Sequence, residues 1–218
     1  MSEYKDLKNK LKKQGVRGLA LDIDETLSFT AQYWVSYLSE KFGNPENLSP
    51  KEIIQKYRIV HHYPYWRSEE ALLWMENARN SNELQKELPL IENANQIVNK
   101  INKIIPIACY LTARPHAVKE GTKHWLGKHG FPKAEVLTRP EDMTYEEATG
   151  SWKSKVLEEL YPQVLGIVDD NASVIENLSK DYEGYIFLYD FPDFVSSSKN
   201  IIVCPTWEDV LAKVKELF

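Results

Sequence analysis

The N-terminal segment of the chain shows helical spacing of its apolar residues, followed by strand-like spacing. Tyr4, Leu7 and Leu11 recur at intervals of three and four positions, which predicts an amphipathic helix. The mainly apolar run 16–21 follows and predicts a short buried strand that ends at Asp22. The chain is therefore expected to open with a helix and then a strand.

Beyond residue 91, helical and strand-like segments alternate along the chain. The segments of helical spacing include a last helix for which Thr206 is the expected N-cap. Short, almost wholly apolar runs predict strands at 104–111, 134–137, 164–168, 185–189 and 201–203. Apolar strands separated by helices are typical of a parallel sheet that is covered on both faces. We therefore predict an α/β fold with a three-layer, Rossmann-like parallel sheet.

Residues 29–90 interrupt this alternation. They contain no strand-like run, and aromatic residues are frequent among them. Ser68, followed by two acidic residues, is the expected N-cap of one helix, and Asn80 with Glu83 predicts the capping box of a second helix. The predicted parts of the chain are a core domain formed by residues 1–28 and 91–218 and a helical cap formed by residues 29–90.

The aromatic residues of the insertion have two interpretations. Their rings could line a substrate cleft and stack on a flat group of the substrate, or they could form the core of a small helical subdomain. We predict that Tyr33 and Trp66 contact the substrate. We assign no zinc site to His61 and His62, because neither has a nearby Cys or a His partner four positions away.

The first polar residues after the predicted strands include four aspartates. Asp22 and Asp24 follow the first strand, Thr112 follows the second, and Asp169 with Asp170 follows the fourth. In open α/β sheets, ligands bind at the carboxyl ends of the strands, so these residues are expected at one edge. Crowded carboxylates repel one another, and a hard cation such as Mg²⁺, which prefers oxygen ligands, relieves that repulsion. The sequence therefore predicts a Mg²⁺ site.

Lys153 is the expected cationic partner of this edge. It begins the helix before the fourth strand and could offset the charge of a phosphoryl group, to which the Thr112 hydroxyl would donate a hydrogen bond. Lys155 is the alternative, but Val156 and Leu157 lie three and four positions after Lys153 and leave Lys153 at the helix start. A carboxylate nucleophile, a second carboxylate, a hydroxyl, an ammonium group and a metal suit phosphoryl transfer through an aspartyl-phosphate.

Four short motifs resemble, in type and order, those of haloacid dehalogenase-type phosphatases. They are DIDET at 22–26, LTAR at 111–114, Lys153 and VDD at 168–170. The resemblance spans most of the predicted core and leaves the insertion uncovered. It implies that the insertion is a helical cap placed between the first and second motifs. Glu25 stands where Gly is common in the family, a variation that also fits its phosphatases.

The resemblance also implies roles for the motif residues. Asp22 attacks phosphorus, Asp24 protonates the leaving oxygen and then activates water, and Thr112 with Lys153 holds the phosphoryl oxygens. The implied Mg²⁺ ligands are Asp22, the backbone carbonyl of Asp24 and Asp170, with Asp169 as the other candidate. Arg114 either binds substrate or forms a salt bridge. The predicted substrate-binding residues are Thr26, Ala113, Arg114, Tyr33 and Trp66.

The composition narrows the expected partners. The 218 residues include 27 Lys and Arg against 32 Asp and Glu, a net charge of −5, which gives no electrostatic support for binding a nucleic acid polymer or a membrane surface. No run of 18 apolar residues and no signal-peptide-like stretch is present. Cys109 and Cys204 lie in apolar runs and are expected to be buried and unpaired, which favours a cytoplasmic setting.

We expect a Mg²⁺-dependent hydrolase of a small phosphorylated metabolite, and the rings of the insertion favour a nucleotide or another aromatic-bearing phosphate. The alternatives are a phosphomutase and a phospho-accepting signalling or regulatory module without turnover. A signalling receiver places its paired acids near the first strand and its phosphorylated Asp in the third, so the order found here disfavours it. A dehalogenase is also disfavoured, because Asp24, which protonates an alkoxide, would have no role in one.

Overall fold

The computed structural model describes residues 3–57, 63–191, 194–195, 198 and 200–218, so His61 and His62 lie outside the described part of the chain. Its sheet has six strands, all parallel, in the order β3-β2-β1-β4-β5-β6. The strands are β1 (Gly18–Leu21), β2 (Ile107–Pro115), β3 (Glu135–Arg139), β4 (Val164–Asp169), β5 (Tyr185–Tyr189) and β6 (Ile201–Cys204). The predicted α/β fold with a Rossmann-like parallel sheet is confirmed.

The helices between these strands include four in the region of the insertion. The helices are α1 (Glu3–Gln14), α2 (Thr30–Phe42), α3 (Pro50–Tyr57), α4 (Glu69–Arg79), α5 (Asn82–Glu87), α6 (Ala94–Asn102), α7 (Lys119–Lys128), α8 (Tyr145–Glu147), α9 (Lys153–Leu160), α10 (Ser173–Glu176) and α11 (Trp207–Leu217). A 3₁₀ turn at His116–Val118 precedes α7, and a π-helical turn at Ala148–Trp152 joins α8 to α9. Within the described residues, no helix is both long enough and apolar enough to cross a bilayer.

Apolar clusters cover both faces of the sheet. On one face, side chains of α6, α7 and α11 pack with the strands, and Ile97, Trp125 and Val210 are among their buried members. On the other face, α1 and α9 contribute Leu11 and Leu157 to a second cluster. β1 lies between β2 and β4 in the sheet, and all of its residues are buried. The residues that follow β1 therefore lie at the middle of the sheet's edge, between the two layers of helices. Cys109 and Cys204 are buried and free of disulfides, as predicted.

The insertion contains a third apolar cluster of its own. Its buried members are Val35, Leu38, Ile53, Tyr63, Trp66, Ala71 and Met75. Trp66 is 1% exposed, and its indole N–H donates to the backbone oxygen of Gly43. Some aromatic residues of the insertion thus form its own hydrophobic core, as the second interpretation of its composition predicts.

One of the two predicted caps in the insertion is confirmed and the other is wrong. The Ser68 side chain accepts a hydrogen bond from the backbone N–H of Ala71 and caps α4. The second helix is capped by Ser81, whose hydroxyl accepts from the N–H of Leu84, and not by Asn80 with Glu83. Asn80 instead ends α4, because its amide donates to the oxygen of Glu76.

Helix α5 packs directly on α7 of the core. The Asn82 side chain accepts a hydrogen bond from the N–H of Gly121 at 2.6 Å and donates one to the oxygen of Ala117 at 2.8 Å. A Cβ at position 121 would lie 2.6 Å from the Asn82 backbone oxygen, so this approach requires glycine. The contact fixes α5, and the residues it carries, to the core.

Candidate active site

Asp22 is the centre of a buried charge cluster at the end of β1. Its backbone N–H donates to the oxygen of Val168 in β4, which joins the ends of the two central strands. The Lys153 ammonium lies 2.7 Å from Oδ1 of Asp22 and 2.8 Å from Oδ2 of Asp169, and it is 2% exposed. Lys155, the alternative for this position, is exposed. The structure therefore brings Lys153 to the predicted edge.

Three carboxylates of this cluster are close enough to share a cation. Ligand oxygens of Asp22, Asp169 and Asp170 all lie within 4.8 Å of one another. Burial raises the pKa of Asp22 to about 7 against the opposing charge of Lys153, and the charges of Asp169 and Asp24 raise it further. Burial and the charge of Asp22 also raise the pKa of Asp170 well above its ordinary value. A single ammonium thus leaves negative charge uncompensated, and an all-oxygen donor set of this kind fits Mg²⁺.

Lys153 remains charged in this environment. Burial alone would lower the pKa of the Lys153 ammonium, but the charges and hydrogen bonds of Asp169 and Asp22 raise it above its ordinary value. The ammonium is therefore a fixed positive charge beside Asp22. Asp169 is further held by the backbone N–H of Asn171, which donates to its other oxygen at 2.9 Å.

Thr26 connects the two motifs that meet at this cluster. Its hydroxyl lies 3.4 Å from Oδ2 of Asp22 and 3.3 Å from Oδ1 of Asp170, and it accepts from the N–H of Asp170 at 3.2 Å. The backbone oxygen of Thr26 accepts a hydrogen bond from the indole N–H of Trp207 in α11 at 3.0 Å. Thr26, predicted to bind substrate, is fully buried and holds the carboxylates in place.

Asp24 is paired with Arg114. The guanidinium Nη2 lies 2.7 Å from Oδ1 of Asp24, and Nε lies 3.2 Å from Oδ2. The hydroxyls of Thr30 and Thr112 donate further hydrogen bonds to Asp24, at 2.6 Å and 3.4 Å. Burial alone would raise the pKa of Asp24, but the charge and hydrogen bonds of Arg114 lower it below its ordinary value. Asp24 is therefore an ionised and oriented carboxylate.

The structure decides between the two sequence interpretations of Arg114 in favour of a salt bridge. Its guanidinium also donates to the hydroxyls of Ser28 and Thr122, and the residue is 5% exposed. Such a bidentate, buried pair uses most of the donors of the guanidinium. Thr112 is fully buried beneath this pair, and its hydroxyl also accepts from the backbone N–H of Arg114.

Glu25 adopts the backbone conformation that glycine prefers. Its φ is 56°, in the left-handed region, which residues other than glycine rarely adopt. Its carboxylate accepts a hydrogen bond from the N–H of Ala31 at 2.6 Å, which ties the loop to the start of α2. Burial raises the pKa of Glu25 to about 7, although the hydrogen bond from Ala31 acts to lower it.

A cavity of about 170 Å³ opens over these groups. Its walls come from the residues that follow β1 and β4, the end of β2, the insertion, α8, and the π-helical turn that leads into α9. The lining residues that the motifs predict are Asp22, Asp24, Ala113, Arg114, Lys153 and Asp170. The lining residues that the motifs do not predict include Trp34, Arg79, Gln85, Tyr145 and Asn171.

The structure does not bring Tyr33 and Trp66 to this cavity. Trp66 is enclosed in the insertion's own core, and Tyr33 packs against the cluster on the α6, α7 and α11 face. Among the described residues of the insertion, Trp34 is the ring that lines the cavity. Its neighbour Trp74 contacts it edge-on and stacks on Tyr37 at 4.3 Å. The helical spacing of α2 alone could not distinguish Tyr33 from Trp34, because adjacent helix positions point only about 100° apart.

The comparisons with known proteins address the fold. No protein-family model matches the sequence, and no curated protein matches it. The structure is similar to a haloacid dehalogenase superfamily hydrolase of subfamily IA from Geobacter sulfurreducens, with a TM-score of 0.56 over 91% of this chain and 96% of that chain. The chain has the fold of the haloacid dehalogenase superfamily. The sequence identity over this match is 12%.

Two further structures share this haloacid dehalogenase-like fold. A haloacid dehalogenase-like family hydrolase from Xanthomonas campestris matches with a TM-score of 0.53 and 13% identity, over 93% of this chain and 96% of its own. A dehalogenase matches with a TM-score of 0.53 and 15% identity, over 93% and 97%. These matches each cover more than nine-tenths of the chain and include both hydrolases and a dehalogenase. The chemistry of this chain therefore has to be argued from its own site.

Proposed function

We propose that the protein is a Mg²⁺-dependent phosphomonoester hydrolase that works through an aspartyl-phosphate on Asp22. The observation that carries this proposal is the position of Asp22, between the Lys153 ammonium on one side and the Asp24–Arg114 pair on the other, in the floor of one cavity. A nucleophile, a fixed cation and a second carboxylate are the groups that phosphoryl transfer requires.

The first half-reaction assigns one task to each group. An oxygen of Asp22 attacks phosphorus, and the bond between phosphorus and the ester oxygen breaks. Asp24, which takes up a proton as the anionic substrate binds beside it, gives that proton to the departing alcohol. Lys153 offsets negative charge on the transferred group, since its ammonium lies 2.7 Å from the attacking carboxylate. The product of this step is a phosphoryl group bonded to Asp22.

The second half-reaction returns the protein to its starting state. Asp24 accepts a proton from water, the oxygen of that water attacks phosphorus, and the bond to Asp22 breaks to release inorganic phosphate. Arg114 holds the Asp24 carboxylate in one orientation during both steps. Mg²⁺, held by Asp22, Asp170 and Asp169, would neutralise charge on the phosphoryl oxygens and on the carboxylates themselves.

The alternatives differ in what happens to the phosphoryl group. A phosphomutase returns it to a second hydroxyl of a sugar, and a signalling module keeps it on the aspartate. Asp24 lies beside the nucleophile in the same cavity, fixed by hydrogen bonds from three residues, which supports activation of water and therefore release of phosphate. We expect a small organic phosphate as the substrate.

The test is hydrolysis of p-nitrophenyl phosphate and of an alkyl phosphate, each with and without Mg²⁺, followed by release of inorganic phosphate. Asp22→Asn should lower kcat by roughly a thousandfold or more, because the nucleophile is lost. Asp181→Asn, which makes the same change at an exposed aspartate, is the matched control. Mass spectrometry of acid-quenched protein should find the phosphoryl group on the peptide that contains Asp22. Equal turnover by wild type and Asp22→Asn would refute the proposal.

A further inference from the structure

Gln85 carries a buried polar atom that the catalytic groups do not explain. The residue is 2% exposed, and among the described residues its side-chain oxygen has no hydrogen-bond partner. A buried acceptor without a donor destabilises a folded protein, and most such groups in native proteins have a partner. An unpartnered one that persists in a cavity wall therefore calls for a ligand that supplies the missing donor.

Gln85 lines the same cavity as Asp22 and Asp24. Helix α5, which carries it, is fixed to the core through the hydrogen bonds of Asn82 to Gly121 and Ala117. The backbone at Gln85 is therefore held at a fixed distance from Asp22. Its terminal amide turns about a soft torsion, so its oxygen can be directed to a group held in the cavity.

The chemistry of Gln85 limits the group that it can meet. A carboxamide oxygen is a neutral acceptor, which suits a neutral donor, whereas an ammonium group is better matched by a carboxylate. A hydroxyl group on the leaving group is such a neutral donor.

We propose that Gln85 determines specificity by accepting a hydrogen bond from a hydroxyl on the leaving group, which selects phosphate esters whose alcohol carries a second hydroxyl. This inference rests on the proposed hydrolase function. It predicts that the protein discriminates between two esters of the same length that differ only in their hydroxyl groups. Glycerol 1-phosphate and n-propyl phosphate are such a pair.

The experiment compares kcat/KM for these two esters in three proteins. Wild type should prefer glycerol 1-phosphate by at least about tenfold, because a site built to bind a hydroxyl rejects the analogue that lacks it. In Gln85→Leu the ratio should fall to about one, since leucine has a similar volume and no acceptor. Gln55→Leu makes the same change at an exposed position of α3 and should keep the wild-type ratio.

A second readout does not depend on catalysis. Without ligand, Gln85→Leu should unfold at the same or a higher temperature than wild type, because the unpaired oxygen has been removed. An unchanged ratio of kcat/KM in Gln85→Leu, or a clearly lower unfolding temperature, overturns the inference about Gln85 while the hydrolase proposal stands. Wild-type protein that hydrolyses neither ester nor p-nitrophenyl phosphate overturns both.

Discussion

The guanidinium group of Arg114 donates hydrogen bonds to both carboxylate oxygens of Asp24, across 90 residues of sequence. The pair sets both the orientation and the charge of Asp24. A carboxylate held this firmly is suited to accept a proton from water, whereas its role as an acid depends on how far Arg114 lowers its pKa. In the proposed mechanism, the balance between the two half-reactions therefore depends on Arg114, which our sequence analysis placed among the candidate substrate contacts.

Removing Arg114 should move the pH dependence of the reaction. Burial alone raises the pKa of Asp24 and Arg114 lowers it, so Arg114→Met should raise the pKa of Asp24. The first half-reaction needs protonated Asp24, and the alkaline limb of kcat/KM for an alkyl phosphate should therefore shift to higher pH. Arg17→Met, at an exposed arginine, is the control. If the alkaline limb of the pH profile stays at the same pH while kcat/KM falls, this role of Arg114 is contradicted.

Removing the buried cation should destabilise the protein without metal. Lys153→Met leaves Asp22 and Asp169 without their ammonium partner, and breaking such a buried pair costs about 3–5 kcal/mol. Urea unfolding in the presence of a chelator measures the loss. Lys155→Met removes the same charge at an exposed position of the same helix and should change the free energy of unfolding little. Similar losses in the two variants would contradict the assigned ion pairs.

Mg²⁺ should stabilise the protein more as the pH rises. The pKa values of Asp22 and Glu25 are raised to about 7 mainly by burial, so the folded state favours their protonated forms. Their contribution to stability is complete below about pH 4 and is lost as the pH rises through 7. A cation that binds ionised carboxylates compensates this loss. Thermal unfolding between about pH 5 and 8, with and without Mg²⁺, measures how much Mg²⁺ raises the unfolding temperature at each pH. An equal rise at both ends of this pH range contradicts the prediction.

Two tryptophans of the insertion should respond differently to truncation. Trp66→Ala removes a fully packed ring and should cost about 3–5 kcal/mol of unfolding free energy. Trp34→Ala removes part of the cavity wall and should change KM more than it changes stability. Urea unfolding measures the stability of both variants, and steady-state kinetics measures their KM. The reverse result, a stable Trp66→Ala that binds substrate poorly, would restore the sequence-based assignment.

The strands and their charged ends could be predicted because they follow from periodicity and topology. A sheet that is buried on both faces requires apolar strands, and a parallel sheet places their carboxyl ends at one edge. Asp22, Lys153, Asp169 and Asp170 meet for that reason. The start of β2 was predicted three residues too early, because the side chain of Asn102 accepts from the N–H of Ile107 and holds the preceding residues in a turn.

The contacts of the insertion could not be predicted from spacing. Helical periodicity predicts which residues share a face but not which neighbour that face meets, and Trp66 packs inside the insertion through contacts that depend on the tertiary structure. Gln85 lies in a short polar helix whose sequence carries no signal for a cavity wall. Arg114 meets Asp24 only because β1 and β2 are adjacent in the sheet.

The hydrogen bond from Trp207 to the backbone of Thr26 spans 181 residues and joins the last helix to the loop that carries the nucleophile. On a ribosome, that loop emerges long before its partner does. The nascent chain would hold the aspartates of the first motif without the indole that completes their support. We therefore expect the protein to become competent only after α11 has been synthesised, and a nascent chain that stalls before α11 to remain inactive.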